Sequence, residues 1–194
     1  MKVKALIVAL CSAACFLAMN ANAATMVVPG TADPWLANAT VDNLGTPEPP
    51  DYAPGQSPVL AGWVAPGNTV SWLATGEAGH PGDVSGPSGA LYSIISRTIG
   101  ANNGINDLTA PICSLIGVWA YPGGGGIAFY MGASGTAVVP AGADQLFLGM
   151  MDGYGWANNI GQFDVTVNGV PDGALTISML GLALTGLGWL RRKV

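Results

Sequence analysis

Short runs of alternating apolar and polar residues, separated by turn residues, dominate the chain after Pro58. The run 162–167 places Phe163, Val165 and Val167 on one face, as a half-buried strand requires. Comparable runs with glycine-rich connections between them lie at 69–74, 112–119, 127–131, 136–139 and 145–150. Many short strands with such turns are typical of an antiparallel β-sandwich or barrel. We therefore predict one all-β domain over residues 58–168.

Two other segments lack this strand pattern. Residues 24–57 are rich in Pro, Gly and Asn, so we predict an irregular lead-in there. Leu91, Ile94, Ile95 and Ile99 fall at helical spacing. The β-branched residues among them disfavour a helix, which leaves the secondary structure of this segment open.

The N-terminal end has the order of a secretory signal peptide, 1–23. Lys2 and Lys4 precede an apolar run at 5–19, and Ala21 and Ala23 supply the small residues that signal peptidase needs. We predict cleavage after Ala23 and export of the rest of the chain. Two cysteines in this segment suggest a lipoprotein, but the residues around them do not complete the lipidation signal.

The C-terminal end predicts a membrane helix over about 174–190. This run has 17 residues without a charge, and as a helix it would be roughly 26 Å long at about 1.5 Å per residue. A bilayer core is about 30 Å thick. Arg191, Arg192 and Lys193 follow the run and favour the cytoplasmic side. The domain would then lie outside the membrane.

The sequence Val170, Pro171, Asp172 and Gly173, followed by a Leu/Gly/Ala-rich run and basic residues, resembles a PEP-CTERM sorting signal of bacterial surface proteins. Its Pro-Asp-Gly in place of Pro-Glu-Pro resembles a Val-Pro-Asp-Gly variant. The resemblance implies a sorting tail at 170–194 that an exosortase, a membrane cysteine transpeptidase, cleaves. The protein would be membrane-anchored before processing and would then reach the cell surface or extracellular matrix. An ordinary single-span anchor is the alternative.

Charge is distributed unevenly along the chain. Arg97 is the only Lys or Arg outside the two ends, whereas all eleven acidic residues lie between Asp33 and Asp172. A strongly acidic exported part excludes nucleic acid as a partner, because phosphates need Lys and Arg. This negative charge suits a surface protein that binds cations or whose copies repel each other in solution. An ordinary acidic secreted domain would have the same charge.

Residues for common catalytic chemistry are scarce. His80 is the only histidine, and Cys113 is the only cysteine after the predicted signal peptide. One histidine cannot supply a typical zinc site, and a lone cysteine cannot form an internal disulfide. Cys113 lies in an apolar, strand-like run, which favours an inert buried thiol. We predict a protein that is not an enzyme; a glycosidase is the remaining enzymatic alternative, since paired carboxylates are invisible in sequence.

An oxygen-rich loop separates the last two predicted strands. Asp152, Asn158 and Asn159 can present one carboxylate and two amide oxygens, while Gly153 and Gly155 allow backbone carbonyls to turn inward. Ca²⁺ takes about six to eight such oxygens, so carbonyls, water or a ligand would complete the shell. The alternative is a plain hairpin loop of Gly, Asn and Asp.

This loop resembles the C-terminal hairpin of the LecA/PA-IL-like galactose-binding lectin family, where an Asp, a glycine-containing turn, an Asn-Asn pair and Gly-x-Phe precede the last strand. The resemblance implies a lectin-like β-sandwich. It also implies Asp152, Asn158 and Asn159 as calcium ligands, with the carbonyl near Trp156 assisting.

The same resemblance implies that a galactose-type or other glycan binds at the calcium ion. Asp152, Asn158 and His80, which lies in a His-Pro pair similar to that of the family, would contact the sugar. Tyr154 or Trp156 would add apolar contact with a sugar face or would cap the core. Two functions follow: a calcium-dependent carbohydrate-binding module, or a structural matrix protein that keeps the fold without binding sugar.

Overall fold

The structure is a computed structural model that describes residues 23–37, 56–90, 96–99, 104–153 and 155–170. The predicted signal peptide up to residue 22, the sorting residues from Pro171 onward, including Arg191 and Arg192, and Tyr154 lie outside these ranges. Within them, no helix is long and apolar enough to cross a membrane. The predicted membrane helix at 174–190 also lies outside the described residues.

The described residues form strands and two short 3-10 helices. The 3-10 helices are η1 (Pro34–Leu36) and η2 (Trp156–Asn158). The strands are β1 (Ala24–Pro29), β2 (Val59–Trp63), β3 (Thr69–His80), β4 (Asp83–Ser85), β5 (Ser96–Ile99), β6 (Leu108–Pro111), β7 (Leu115–Ala120), β8 (Gly126–Tyr130), β9 (Ser134–Val138), β10 (Gln145–Met150) and β11 (Ile160–Asn168).

The strands pair into two main sheets. The front sheet has the order β1-β11-β3-β4, with β9 also paired to β3, and the back sheet has the order β2-β10-β7-β8. A separate hairpin joins β5 and β6. Every one of these strand pairs is antiparallel. The prediction of an all-β antiparallel fold is therefore confirmed.

The space between the two sheets is filled by alternate residues of each strand. Phe163, Val165 and Val167 of β11 are fully buried, as the period-two pattern predicts. Leu148 and Met150 of β10 meet them from the back sheet in the same cluster. Burial of each such side chain stabilises the fold by about 1.5–3 kcal/mol. This shared core makes the two sheets a β-sandwich.

Strand β7 is buried on both faces, which explains its continuous apolar sequence. Its Leu115 and Trp119 belong to the core between the sheets. Its Ile116 and Val118 belong instead to a second cluster on the outer side of the back sheet. The other buried members of this outer cluster are Trp35, Ala37, Ile105, Ala110, Ala128, Met151 and Trp156. The 3-10 helix η2, which precedes β11, is therefore anchored on the outer face of the back sheet.

The prediction of an irregular segment over 24–57 is wrong for its first part. Ala24–Pro29 form β1, which pairs along its length with β11. The strand is short, lies at the sheet edge and ends at a proline, so its sequence shows only a weak apolar–polar alternation. Its Val28 is nevertheless fully buried in the core. The sandwich therefore begins at Ala24 rather than at residue 58.

Two other expectations also change. In the segment 91–99, which has helical spacing, the described residues Ser96–Ile99 form strand β5 and pair with β6. This agrees with the strand preference of the β-branched Thr98 and Ile99. The strand expected over 112–119 begins only at Leu115. Cys113, expected inside a strand, lies in a turn with a φ of 62°.

Candidate functional site

The candidate site lies at one end of the sandwich, between the end of β10 and the start of β11. Asp152 follows β10 by two residues, and Asn159 directly precedes β11. The 3-10 helix η2 lies between them and brings the chain back toward the front sheet. Asp152 and Asn159 therefore meet across a short loop.

Asp152 and Asn159 are joined by a side-chain hydrogen bond. The amide Nδ2 of Asn159 donates to Oδ2 of Asp152 at 2.6 Å, and the backbone N–H of Gly153 donates to the other carboxylate oxygen. Asn159 is buried, whereas Asp152 is half-buried. The carboxylate is thus held by two donors in a fixed position at the protein surface.

Asn158 and Trp156 take different positions in the η2 turn. Asn158 is exposed, and its side chain packs over Gly155, where an added Cβ would lie 2.9 Å from Nδ2 of Asn158. The carbonyl of Trp156 accepts the backbone N–H of Asn159 at 3.1 Å. Asn158 is therefore close in sequence to the Asp152–Asn159 pair, but its side-chain amide lies over Gly155.

The indole of Trp156 caps the outer core. It is buried, its Nε1–H donates to the carbonyl of Met150 at 2.8 Å, and its ring centroid lies 6.1 Å from that of Trp35. Of the two roles expected for this ring, the structure supports the core-capping one. Tyr154, the other aromatic expected near a sugar, lies outside the described residues.

His80 lies beside the site because of the strand register. Gly79 pairs with Ile160 at the end of the β3–β11 ladder, and His80 and Asn159 each lie one residue beyond that pair. Its side chain is exposed, and Nδ1 lies 3.1 Å from the carbonyl of Pro81. The structure thus places His80 at the same end of the sandwich as Asp152 and Asn159.

Cys113 also belongs to this end of the molecule, which the sequence analysis missed. Burial, together with the nearby carboxylates of Asp152 and Asp83, raises the pKa of its thiol to about 11, while the backbone N–H of His80 acts in the opposite direction. The thiol therefore stays protonated at neutral pH. No sequence pattern connects these residues, because they come together only through the packing of three separate turns.

The Asp152–Asn159 pair contains oxygens of the kind that a hard cation takes, but Nδ2 of Asn159 faces the carboxylate in this structure. Within the described residues, no three His, Cys, Asp or Glu side chains form a metal-binding group, so any calcium shell would depend on amide and carbonyl oxygens. A flip of the Asn159 side-chain amide by about 180° exchanges the positions of its nitrogen and oxygen, so that the oxygen faces Asp152. Two oxygens at that spacing can share a Ca²⁺ ion, whose ligands lie at about 2.3–2.6 Å. Backbone carbonyls, water or a ligand would supply the rest.

Comparison with known proteins finds similarity among solved structures. No protein-family model matches the chain, and no curated protein matches it. The chain is similar to a solved structure described as "EclA N-terminal domain; PllA-like lectin", with 20% sequence identity and a TM-score of 0.40 over 74% of this chain and 93% of that chain. The β-sandwich assignment rests on the strand pairing and the shared core described above.

Proposed function

We propose that this protein is an exported carbohydrate-binding module that holds a neutral glycan through Ca²⁺ at Asp152 and Asn159. The observation that supports this proposal is the contact between these two side chains at an exposed end of the sandwich. This contact brings a carboxylate and an amide together. The oxygens of both groups are ligands that Ca²⁺ prefers. Asn158, one residue before Asn159, and His80, one residue beyond the β3–β11 ladder, are both exposed at this end of the sandwich.

Local charge also favours a cation followed by a neutral ligand. Asp83 pairs with His80 across the β3–β4 turn, so Asp83 and Asp152 bring two negative charges to this end of the fold. Such a concentration attracts a divalent cation. Sugar hydroxyls are neutral oxygen donors, and they can replace water on calcium without a cationic side chain. This matters in a chain whose only Lys or Arg outside its ends is Arg97.

We expect retention on an array of galactose-containing and other neutral glycans in millimolar Ca²⁺, and its loss in chelator. The measurement uses the purified full-length protein in detergent, with Mg²⁺ as the control cation, because Mg²⁺ demands a smaller octahedral shell. Ca²⁺ binding without glycan retention would leave only the metal half of the proposal. No Ca²⁺ binding at all would favour a structural matrix protein, and release of free sugar would indicate a glycosidase.

For the ends of the chain, we propose export by signal peptidase and sorting by an exosortase through Val170, Pro171, Asp172 and Gly173. Two features of the fold support this proposal. Strand β1 starts at Ala24, directly after the proposed cleavage position, so cleavage would leave the strand intact. Val170 is buried in the core between the sheets, so the proposed motif would start at a residue of the folded domain.

Replacement of Pro171, Asp172 and Gly173 by alanine should block removal of the tail and leave membrane insertion intact, because the apolar run 174–190 is unchanged. Immunoblotting of membrane, surface and medium fractions would follow the tail. Replacement of the exposed Asn168 by alanine is the control for a change just outside the motif. Normal tail removal in the triple variant would show that these residues are not recognised.

A further inference from the structure

We propose that β1 pairs antiparallel with β1 of a second copy of this chain and joins the two front sheets into one. Strand β1 lies at the end of the front sheet and pairs on one side with β11. Among the described residues, no strand or bridge pairs with its other side, which we call the open side. This pairing involves no residue of the proposed calcium site, so the two proposals can fail independently.

The strand register shows which backbone groups of β1 face the open side. The N–H of Gly30 donates to the carbonyl of Gly161 at 3.0 Å, in register with the β1–β11 ladder. Alternate residues of an antiparallel strand direct their N–H and C=O groups to the same side, so Met26 also faces β11. Thr25 and Val27 therefore direct their N–H and C=O groups to the open side.

Contacts near both ends of β1 agree with this orientation. The Oγ1 atoms of Thr25 and Thr166 lie 3.1 Å apart, as expected for a pair that exchanges no backbone bonds, where two strands approach most closely. At the other end, Pro29 has no N–H, and its carbonyl accepts the N–H of Ala32 at 3.0 Å. Within β1, the groups left on the open side are those of Thr25 and Val27.

These open groups are complementary to those of a second copy. A two-fold axis at Met26 places Thr25 of each copy opposite Val27 of the other, and each such pair can exchange both backbone hydrogen bonds, which gives four interchain bonds. Val27 is 49% exposed, and its side chain would lie beside that of Thr25 on the outer face of the joined sheet. Both residues are β-branched and therefore suit a strand in the middle of a sheet.

The charge distribution permits this contact in a chain whose net charge is −5. No charged residue lies on β1 or on β2, the edge strand of the back sheet that contacts it. The acidic residue of β11, Asp164, is opposite Val27. In the joined sheet, the Asp164 residues of the two copies would be three strand spacings apart, roughly 14 Å. This distance exceeds the Debye length of about 8 Å at physiological salt, so repulsion between them is largely screened.

Two other edge strands of the sandwich are blocked or interrupted. At β8, Oδ1 of Asn106 accepts the N–H of Ala128 at 2.6 Å, and the carbonyl of Gly104 accepts the N–H of Gly126 at 3.2 Å. Strand β9 has a glycine in its interior, Gly135, which weakens a strand. Proteins cover or interrupt their edge strands to prevent uncontrolled pairing. An open and uncharged β1 therefore indicates an edge that pairs with another strand.

Amide hydrogen exchange at low and high concentrations of the purified full-length protein in detergent tests which chain covers the edge. We expect the Thr25 and Val27 amides to exchange about tenfold more slowly at high concentration, because pairing with a second copy requires association. The Val165 amide, which faces Met26 in the β1–β11 ladder, is the internal control. Fast exchange at both concentrations would overturn the proposal. Equal protection at both would overturn it as well, because a segment of the same chain would then cover the edge.

Val27→Pro removes an N–H on the open side without removing a bond to β11. Proline is tolerated on an edge strand where the missing N–H would face solvent. Two of the four interchain bonds are lost, so the dimer dissociation constant from sedimentation velocity should rise by about tenfold or more. Val27→Thr keeps the N–H and the β-branched shape, so its constant should stay within about threefold of the wild type. An unchanged constant in Val27→Pro would overturn the proposal, because the copies would then meet elsewhere.

Disulfide formation in a mixture of Thr25→Cys and Val27→Cys proteins tests the register even if Val27→Pro fails to fold. In the proposed pair, the Cα atoms of these two positions lie about 5.5 Å apart, which a disulfide can span. Two copies of the same variant would instead be offset by two residues. We expect the mixture to cross-link at least about threefold faster than either protein alone, with the buried Cys113 present in all samples. Equal rates would overturn the two-fold register.

Discussion

Asp152→Ala should remove most of the thermal stabilisation that Ca²⁺ gives to this protein. At a Ca²⁺ concentration about 100 times the dissociation constant, binding to the native state adds about 2.7 kcal/mol to the free energy of unfolding. For a chain of this size that corresponds to a rise in melting temperature of about 5–10 °C. Asp152 supplies the charge in the proposed shell, so the variant should show almost none of this rise in differential scanning calorimetry.

The control for Asp152→Ala is Asp164→Ala, which removes the same charge elsewhere on the protein. Asp164 is exposed on β11, and its carboxylate accepts a hydrogen bond from the side chain of Gln162 at 3.4 Å. This variant should keep the full Ca²⁺-dependent rise. If Asp152→Ala keeps it as well, the ion binds elsewhere and the assignment of Asp152 is wrong.

Without Ca²⁺, Asp152→Ala tests a separate property of the loop. The Asn159 amide and the Gly153 N–H both donate to this carboxylate, and Asn159 is buried. Loss of the acceptor leaves a buried donor without its partner, which costs about 1–3 kcal/mol. The melting temperature of the variant should therefore be lower than that of the wild type even in chelator.

The strands that could be predicted from the sequence are those with one buried face. Strand β10 has the predicted bounds, and β11 contains the predicted run with two further residues before it and one after it. Strand β1 was missed because an edge strand of six residues that ends at Pro29 carries little alternation. Strand β7 was placed too early because it is buried on both faces, so an apolar run could not show where the turn at Cys113 ends and the strand begins.

The composition of the candidate site could be predicted, but its surroundings could not. Asp152 and Asn159 stand out because carboxylate and amide oxygens near glycines are suited to a cation. Their neighbours His80 and Cys113 come from distant parts of the chain, and only the register of β3 against β11 and the bonds to Met151 bring them close. A pattern of period two assigns one buried face to each strand, so it gives no indication of an outer core.

Trp156→Ala should be among the most destabilising substitutions near the site, because Trp156 links the outer core to the η2 turn. Removing a buried Trp side chain costs about 3–5 kcal/mol. In this chain it also leaves the Met150 carbonyl without the indole N–H and removes the ring packed against Trp35. Chemical denaturation of the purified protein, compared with the wild type, measures this loss.

Trp63→Ala is the matched control for Trp156→Ala. Trp63 lies on β2 and is 53% exposed, so its removal should change the free energy of unfolding by no more than about 0.5–1 kcal/mol. A similar small effect for both variants would show that the outer core contributes little and that η2 is held by its own hydrogen bonds.

Trp156→Phe separates the packing of the ring from its hydrogen bond. This variant keeps an aromatic ring against Trp35 but cannot donate to the Met150 carbonyl, and an unsatisfied buried acceptor costs about 1–3 kcal/mol. Its stability should lie between those of the wild type and Trp156→Ala. Because η2 carries Asn158 and directly precedes Asn159, Ca²⁺ affinity should fall in the same order as stability. An affinity that stays constant across the three proteins would mean that the Asp152–Asn159 pair keeps its geometry without the support of the outer core.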